Sequence, residues 1–142
     1  MTIAAGLRRE ILERAGHCCE YCRMPELVRH AKFHIDHIIS TKHGGGDDSE
    51  NLCLACAPCN RCKGADIAAN DPLTEKITRL FNPRLDTWDD HFRIYPDGAL
   101  GERTPEGRAT IVLLRINQAP RIEQRNIERL LGNYPCQNNP SP

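Results

Sequence analysis

Thiols at Cys-x-x-Cys spacing present two sulfurs from one tight turn, and two such turns supply the four ligands that structural zinc takes in a tetrahedron. Seven of the eight cysteines of this 142-residue chain lie in two tight groups, Cys18-Cys19-Glu20-Tyr21-Cys22 and Cys53-Leu54-Ala55-Cys56-Ala57-Pro58-Cys59-Asn60-Arg61-Cys62. The first group offers the pair Cys19 and Cys22. In the second, Cys53/Cys56, Cys56/Cys59 and Cys59/Cys62 all have the spacing. Cys56 and Cys59 are the expected pair, because a metal knuckle belongs in the turn between a strand and a helix, and Ala57-Pro58 makes that turn. Cys53 then falls in a strand. Cys18, Cys53, Cys62 and the isolated Cys136 are expected to remain as thiols that bind no metal. A disulfide scaffold of the secreted type is disfavoured, since the N-terminal Met-Thr-Ile-Ala-Ala-Gly-Leu-Arg-Arg is not a signal peptide and a reducing cytoplasm keeps thiols free. Cytoplasmic location is the expectation.

Between the two cysteine pairs lies a second set of residues that could do chemistry. Asp36-His37 sits in the apolar run from Phe33 to Ile39, His34 shares a strand face with Asp36, and Asn60 directly follows the second knuckle. A carboxylate and an amide oxygen suit a hard divalent cation such as Mg²⁺. Neighbouring strand residues point to opposite faces. Asp36 and His37 therefore divide the work: one binds metal while the other acts as a base.

The elements that must hold these residues are legible from periodicity. Leu7, Ile11, Leu12 and Ala15 recur at helical spacing up to Gly16, a usual residue just past a helix C-terminus. A strand over 33–39 leads into a loop over 41–50, then a short strand over 51–55, a turn at Pro58 and a helix from about Asn60 to Ala69. The order strand–loop–strand–helix gives the α+β class. Downstream, 76–81 reads as a strand stopped by Asn82-Pro83. The segments 88–95 and 99–103 flank Pro96-Asp97-Gly98 as a hairpin. Thr104-Pro105 opens a helix that continues through Ile116, and a last helix covers about 120–131 before Gly132. The tail after Tyr134 is expected to be disordered. The division expected is a core over 1–72 and a C-terminal extension over 73–142.

Cys-x-x-Cys, Asp-His-Ile-Ile, Gly-Gly, Asn-Leu and Cys-x-x-Cys-Asn-x-x-Lys-Gly occur in that order, on Cys19, Cys22, Asp36, His37, Gly44, Gly45, Asn51, Leu52, Cys56, Cys59, Asn60, Lys63 and Gly64. This run resembles the HNH endonucleases with a zinc-bound ββα-metal fold. The segment Leu80-Phe81-Asn82-Pro83-Arg84 with Trp88-x-x-His91-Phe92 is similar to the extension of small stand-alone bacterial members. The resemblance implies a metal-dependent endonuclease that hydrolyses DNA to 5′-phosphate and 3′-hydroxyl ends. His37 would be the general base, a task that suits an imidazole. Asp36 and Asn60 would hold Mg²⁺ or Mn²⁺, with other divalent transition metals open. Asn51 would tie the loop that positions His37, and zinc on Cys19, Cys22, Cys56 and Cys59 would be structural. The motif departs from the family name at its last letter, where Asn60 stands in place of His; some phage junction-cleaving nucleases of similar design share this Asn.

Lys63, Arg61, Lys42 and His43 are the residues expected to meet nucleic-acid phosphates. The aromatics Trp88, Phe92 and Tyr95 are expected in the core of the extension. With 19 basic and 19 acidic residues the net charge is zero. That argues against a protein that coats nucleic acid through bulk charge, but leaves room for a local site whose positive charge a metal supplies. No apolar run is long enough to span a bilayer, so no membrane partner is expected. DNA is the expected partner, with RNA not excluded by the chemistry alone. The alternative class is a non-catalytic zinc module that binds DNA or protein. It would share every cysteine but have no need for Asp36, His37 and Asn60.

Overall fold

A computed structural model describes residues 3–27 and 31–137. The chain opens with helix α1 (Ala5–Ala15), which buries Ile11 and Ala15 and stops at Gly16 in a left-handed conformation, φ 61°. Glycine takes that conformation without the penalty a Cβ brings. The first knuckle follows and leads to β1 (His34–His37). A glycine-rich loop with two single turns of 3₁₀ helix, Thr41–His43 and Ser49–Asn51, joins β1 to β2 (Leu52–Ala55). The two strands pair antiparallel, with His34 opposite Ala55, Asp36 opposite Cys53 and His37 opposite Leu52. All four residues of β2 are buried, because α1 packs on one side of the hairpin and α2 meets β1 on the other.

Helix α2 spans Ala57–Lys63, not 60–69 as the sequence led one to expect. Cys56 is extended at the N-cap position and Pro58 fits the first turn, where its missing N–H costs nothing. Gly64 turns away from helical geometry at φ 52°. Residues expected to extend the helix form β3 (Ala68–Asn70), paired antiparallel with β4 (Ile77–Arg79). The position 72/73, expected to divide core from extension, falls within the turn of that hairpin.

The rest of the chain wraps back on the first half. A short helix α3 (Trp88–His91) takes up the first half of what the pattern promised as strand, leaving β5 (Phe92–Ile94) to pair with β6 (Leu100–Glu102). Helix α4 (Pro105–Leu113) begins where Thr104 Oγ1 accepts the Gly107 N–H at 3.0 Å, as an N-cap should. Helix α5 is Ala119–Leu130. One apolar core joins the halves, from Ile11, Tyr21 and Leu54 through Phe81 and Phe92 to Leu114 and Tyr134. Trp88 and Phe92 lie in it and Tyr95 is exposed. Phe81 centres an aromatic cluster, edge-on to Tyr21, His91 and Phe92.

The tail corrects the expectation of disorder as far as Gln137; residues 138–142 lie outside the described part. Tyr134 is buried and its hydroxyl donates to the Cys22 carbonyl at 2.8 Å, while the Cys136 N–H donates to the Arg23 carbonyl at 3.0 Å. This docking brings Cys136 to Cys18, and the two form a disulfide with Cα atoms 5.7 Å apart. They are not the free thiols expected from the sequence. A separation of 118 residues hides such a pairing from any local pattern. Among the described residues, no helix is long and apolar enough to cross a membrane.

Candidate metal and catalytic centre

Cys19 and Cys22 lie in the turn after α1, Cys56 at the start of α2, and Cys59 within its first turn. The four sulfurs lie within 4.8 Å of one another and all four residues are buried. Cys22 Sγ and Cys56 Sγ are 3.7 Å apart. Zn–S bonds of about 2.3 Å in a tetrahedron set sulfurs about 3.8 Å apart, so the cluster has the dimensions and the soft donor set for zinc. Four thiolates in an apolar interior need cationic charge. Burial pushes Cys19 and Cys59 well up, whereas hydrogen bonds from Cys19, Cys56 and Cys59, with the Arg121 charge, push Cys22 well down. Arg121, from α5, donates from Nη2 to Cys59 Sγ at 2.9 Å and approaches Cys56 Sγ at 3.8 Å. Burial works against its charge, but the thiolates of Cys59, Cys22 and Cys56 outweigh it and hold the guanidinium well above its usual range. Cys53 and Cys62 stand outside the cluster, Cys53 buried and Cys62 half-buried.

The strand geometry separates Asp36 from His37 as pleating requires. Asp36 faces inward and is 4% exposed. Its Oδ2 accepts the Tyr21 hydroxyl at 2.8 Å and lies 3.2 Å from Lys63 Nζ, with Cys53 Sγ donating at 3.6 Å. Burial raises its pKa, and the Lys63 charge and the hydrogen bonds from Tyr21, Lys63 and Cys53 work against the rise. Lys63 was expected at the surface facing a phosphate. It is instead 1% exposed, and its ammonium also donates to the His37 carbonyl at 2.8 Å. The reason is helical phase: Lys63 stands on the face of α2 that packs on β1, and an ammonium there needs a carboxylate. Asn60 is three residues earlier and so on the same face. Its side-chain amide makes no hydrogen bond among the described residues.

His37 points the other way, into the glycine-rich loop. Its Nε2 lies 2.7 Å from Asp47 Oδ1. Asn51 braces that loop: its Oδ1 accepts the Ile39 N–H at 2.9 Å, and its Nδ2 donates to the carbonyls of Ile39 at 2.9 Å and Gly46 at 2.8 Å. The brace needs Gly45, since a Cβ there would stand 1.7 Å from the Ile39 carbonyl oxygen and 2.8 Å from Asn51 Nδ2. Lys42 and His43 are exposed on this loop and Arg61 on α2. Asp47, Tyr21 and Arg121 were not singled out in the sequence. Asp47 had a signal, an acid at the end of a glycine run that must fold back. Tyr21 and Arg121 had none, because their partners lie 15 and 62 residues away.

Residues 19–66, about a third of the chain, match the HNH endonuclease family model. The segment begins at the first cysteine of the cluster, ends just past α2, and contains Asp36, His37, Asn51 and Asn60. It is an HNH domain of α+β type: a β-hairpin and a helix stapled by a four-cysteine cluster that can hold zinc, with a helix before it and hairpins and helices after it. Comparison with curated proteins gives no match.

Proposed function

We propose that the chain is a metal-dependent endonuclease that hydrolyses phosphodiester bonds in DNA, leaving 5′-phosphate and 3′-hydroxyl ends. The observation that carries this is the His37–Asp47 pair on a loop braced by Asn51, within the HNH span and on the outer face of β1. Asp47 fixes the ring orientation, leaving Nδ1 to take a proton from the attacking water. Zinc on Cys19, Cys22, Cys56 and Cys59 is structural. A catalytic Mg²⁺ or Mn²⁺ fits the donor set of Asp36 and Asn60, a carboxylate with an amide oxygen that has no other partner among the described residues. Asp36 is then shared between the ion and the Lys63 ammonium. When bound, such an ion supplies charge stabilisation for the phosphate and the departing oxygen. Lys42, His43 and Arg61 are the exposed cations placed to meet the backbone, and Lys63 acts from within by holding Asp36 and the His37 carbonyl.

A second reading has one observation in its favour. Asp36 already receives three donors and is almost wholly buried, which suits a purely structural carboxylate in a non-catalytic zinc module that binds DNA or protein.

The test incubates the zinc-loaded chain with supercoiled and linear DNA, and with RNA of the same sequence, across Mg²⁺, Mn²⁺ and Ni²⁺. Cleavage of DNA is expected with at least one ion. His37→Ala should slow single-turnover cleavage by about 10²- to 10⁴-fold while metal binding persists, and Asp36→Ala should weaken metal binding by calorimetry. Absence of cleavage under every ion favours the module. Loss of metal binding in His37→Ala, with normal cleavage by Asp36→Ala, reverses the assigned roles.

A further inference from the structure

Tyr21 stands in the first knuckle between Cys19 and Cys22 and has no exposed surface. A residue that only filled this part of the core could be Phe. The ring is held by contacts that do not involve its hydroxyl: it lies edge-on to Phe81 with centroids 6.5 Å apart, and the Tyr21 carbonyl takes the Trp88 Nε1–H at 2.9 Å. The hydroxyl reaches β1, where it donates to Asp36 Oδ2 at 2.8 Å. A buried tyrosine hydroxyl needs such a partner, and the partner here is a carboxylate.

The donors on Asp36 are divided unevenly. Oδ2 receives the Tyr21 hydroxyl at 2.8 Å, lies 3.2 Å from Lys63 Nζ and receives Cys53 Sγ at 3.6 Å. Among the described residues, Oδ1 is met only by Lys63 Nζ, at 3.5 Å. Tyr21 makes the shortest of these bonds, from a stiff ring. Lys63 acts from a flexible stem and also gives its ammonium to the His37 carbonyl at 2.8 Å. Cys53, opposite Asp36 in the ladder, offers a thiol, which is a weak donor.

The turn that carries Tyr21 is itself tied to the hairpin. The Glu20 N–H donates to the Leu54 carbonyl at 2.9 Å, and Glu20 Oε2 accepts the Leu54 N–H at 2.8 Å. The Tyr21 hydroxyl is thus set against β1 from a turn bonded to β2.

We infer that Tyr21 is a positioning residue for the catalytic metal ion, fixing the Asp36 carboxylate through Oδ2 and leaving Oδ1 as the ligand oxygen. This rests on the reading of Asp36 as a metal ligand. Hydrogen bonds to ligating carboxylates commonly carry about 10- to 100-fold of metal affinity.

The experiment uses the zinc-loaded full chain. Mn²⁺ affinity is measured by calorimetry for the parent, Tyr21→Phe and Asp36→Ala, each checked for zinc by elemental analysis. Tyr21→Phe should keep its zinc and bind Mn²⁺ about 10- to 100-fold more weakly, and Asp36→Ala should bind more weakly still. A hydroxyl that serves the core alone would lower the melting temperature and leave Mn²⁺ affinity at the parent value. Loss of binding in Asp36→Ala with parental affinity in Tyr21→Phe therefore overturns the inference alone. Parental affinity in Asp36→Ala removes the reading of Asp36 as a ligand, and the inference with it. A second measurement needs no change at Tyr21 and decides the matter if Tyr21→Phe does not fold. The three tyrosines are isotopically labelled at Cζ, their carbon NMR signals are assigned with Tyr95→Phe and Tyr134→Phe, and Mg²⁺ is titrated. The Tyr21 signal should shift saturably, because an ion on Oδ1 draws charge from Oδ2 and weakens the bond it accepts, while the other two stay in place. A Tyr21 signal that does not move at Mg²⁺ concentrations that displace Mn²⁺ would overturn the inference.

Discussion

At the scale of single residues, the sulfur cluster is the part most completely legible in the sequence. Two Cys-x-x-Cys pairs and a strand-to-helix turn at Ala57-Pro58 were enough to select Cys19, Cys22, Cys56 and Cys59 from eight cysteines, and these are the four brought together. What surrounds them was not legible, because it comes from the other half of the chain. Arg121 is the clearest case. It donates to Cys59 Sγ while its Nη1 donates to the Leu114 carbonyl at 2.6 Å, so the guanidinium is fixed at both ends. Cys59→Ser should lose the bound metal, measured by elemental analysis, and with it most of the cooperative melting, since structural zinc binding is folding energy of about 10 kcal/mol or more. Arg121→Leu should keep all four ligands and still weaken zinc retention about 10- to 100-fold against a competing chelator, the usual cost of losing a partner of the ligands. Equal retention would show that Arg121 only packs. Asp47→Asn is a test of a different kind. Its side chain is 42% exposed beside His37, so the variant should melt close to the parent and cleave more slowly.

Elements were read best where periodicity is strong and worst where a short apolar run carries no phase. Helix α1, its glycine stop and the Thr104 cap of α4 follow the pattern. Helix α2 does not, because the pattern alone does not tell that Gly64 ends it and that 68–70 is needed as a partner for 77–79. The hairpin so formed is fastened to α4 through Asp71. That residue has no exposed surface, and its carboxylate takes the Arg108 fork at 2.6 Å and 2.7 Å, the Leu73 N–H and the Thr74 hydroxyl. The Arg108 hydrogen bonds, above all, hold the Asp71 carboxyl well below the usual carboxylate range. A depressed folded-state value means that the stabilisation is complete above the unfolded value of about 3.9 and is lost as pH falls from there toward the folded value. Asp71→Asn should therefore lower the melting temperature at neutral pH and flatten its fall below about pH 4. An unchanged acid limb would assign the acid sensitivity to other carboxylates. The glycine-rich loop obeys a steric rule as well: Gly45→Ala should disrupt the Asn51 brace, read as lost amide protection at Ile39, because its Cβ would overlap the Ile39 carbonyl.

Seen as a whole molecule, the chain closes on its own first knuckle. Trp88 Nε1 donates to the Tyr21 carbonyl at 2.9 Å, the Tyr134 hydroxyl to Cys22, the Cys136 N–H to Arg23, and Arg121 to Cys59. Three separate points of the second half thus hold the turn from Cys19 to Arg23, and a fourth, Arg121, holds the second knuckle at Cys59. A Cys-x-x-Cys turn has few backbone hydrogen bonds of its own, so the carbonyls of Tyr21, Cys22 and Arg23 must find donors elsewhere or remain unsatisfied in a buried place. The C-terminal segment answers that need, and this is the physical reason residues 134–137 dock on the turn. Tyr134→Phe should cost about 1–3 kcal/mol by leaving the Cys22 carbonyl unpaired in the interior. Cys136→Ser opens a loop of over a hundred residues in the unfolded chain and should cost about 2–5 kcal/mol. If the segment serves the knuckle, both variants should release zinc to a chelator faster than the parent, by an order of magnitude in the double variant, with the His37 loop unaffected in its amide exchange. Should both lower the melting temperature while zinc release stays at the parent rate, the segment would be a general clasp on the fold with no particular hold on the metal turn.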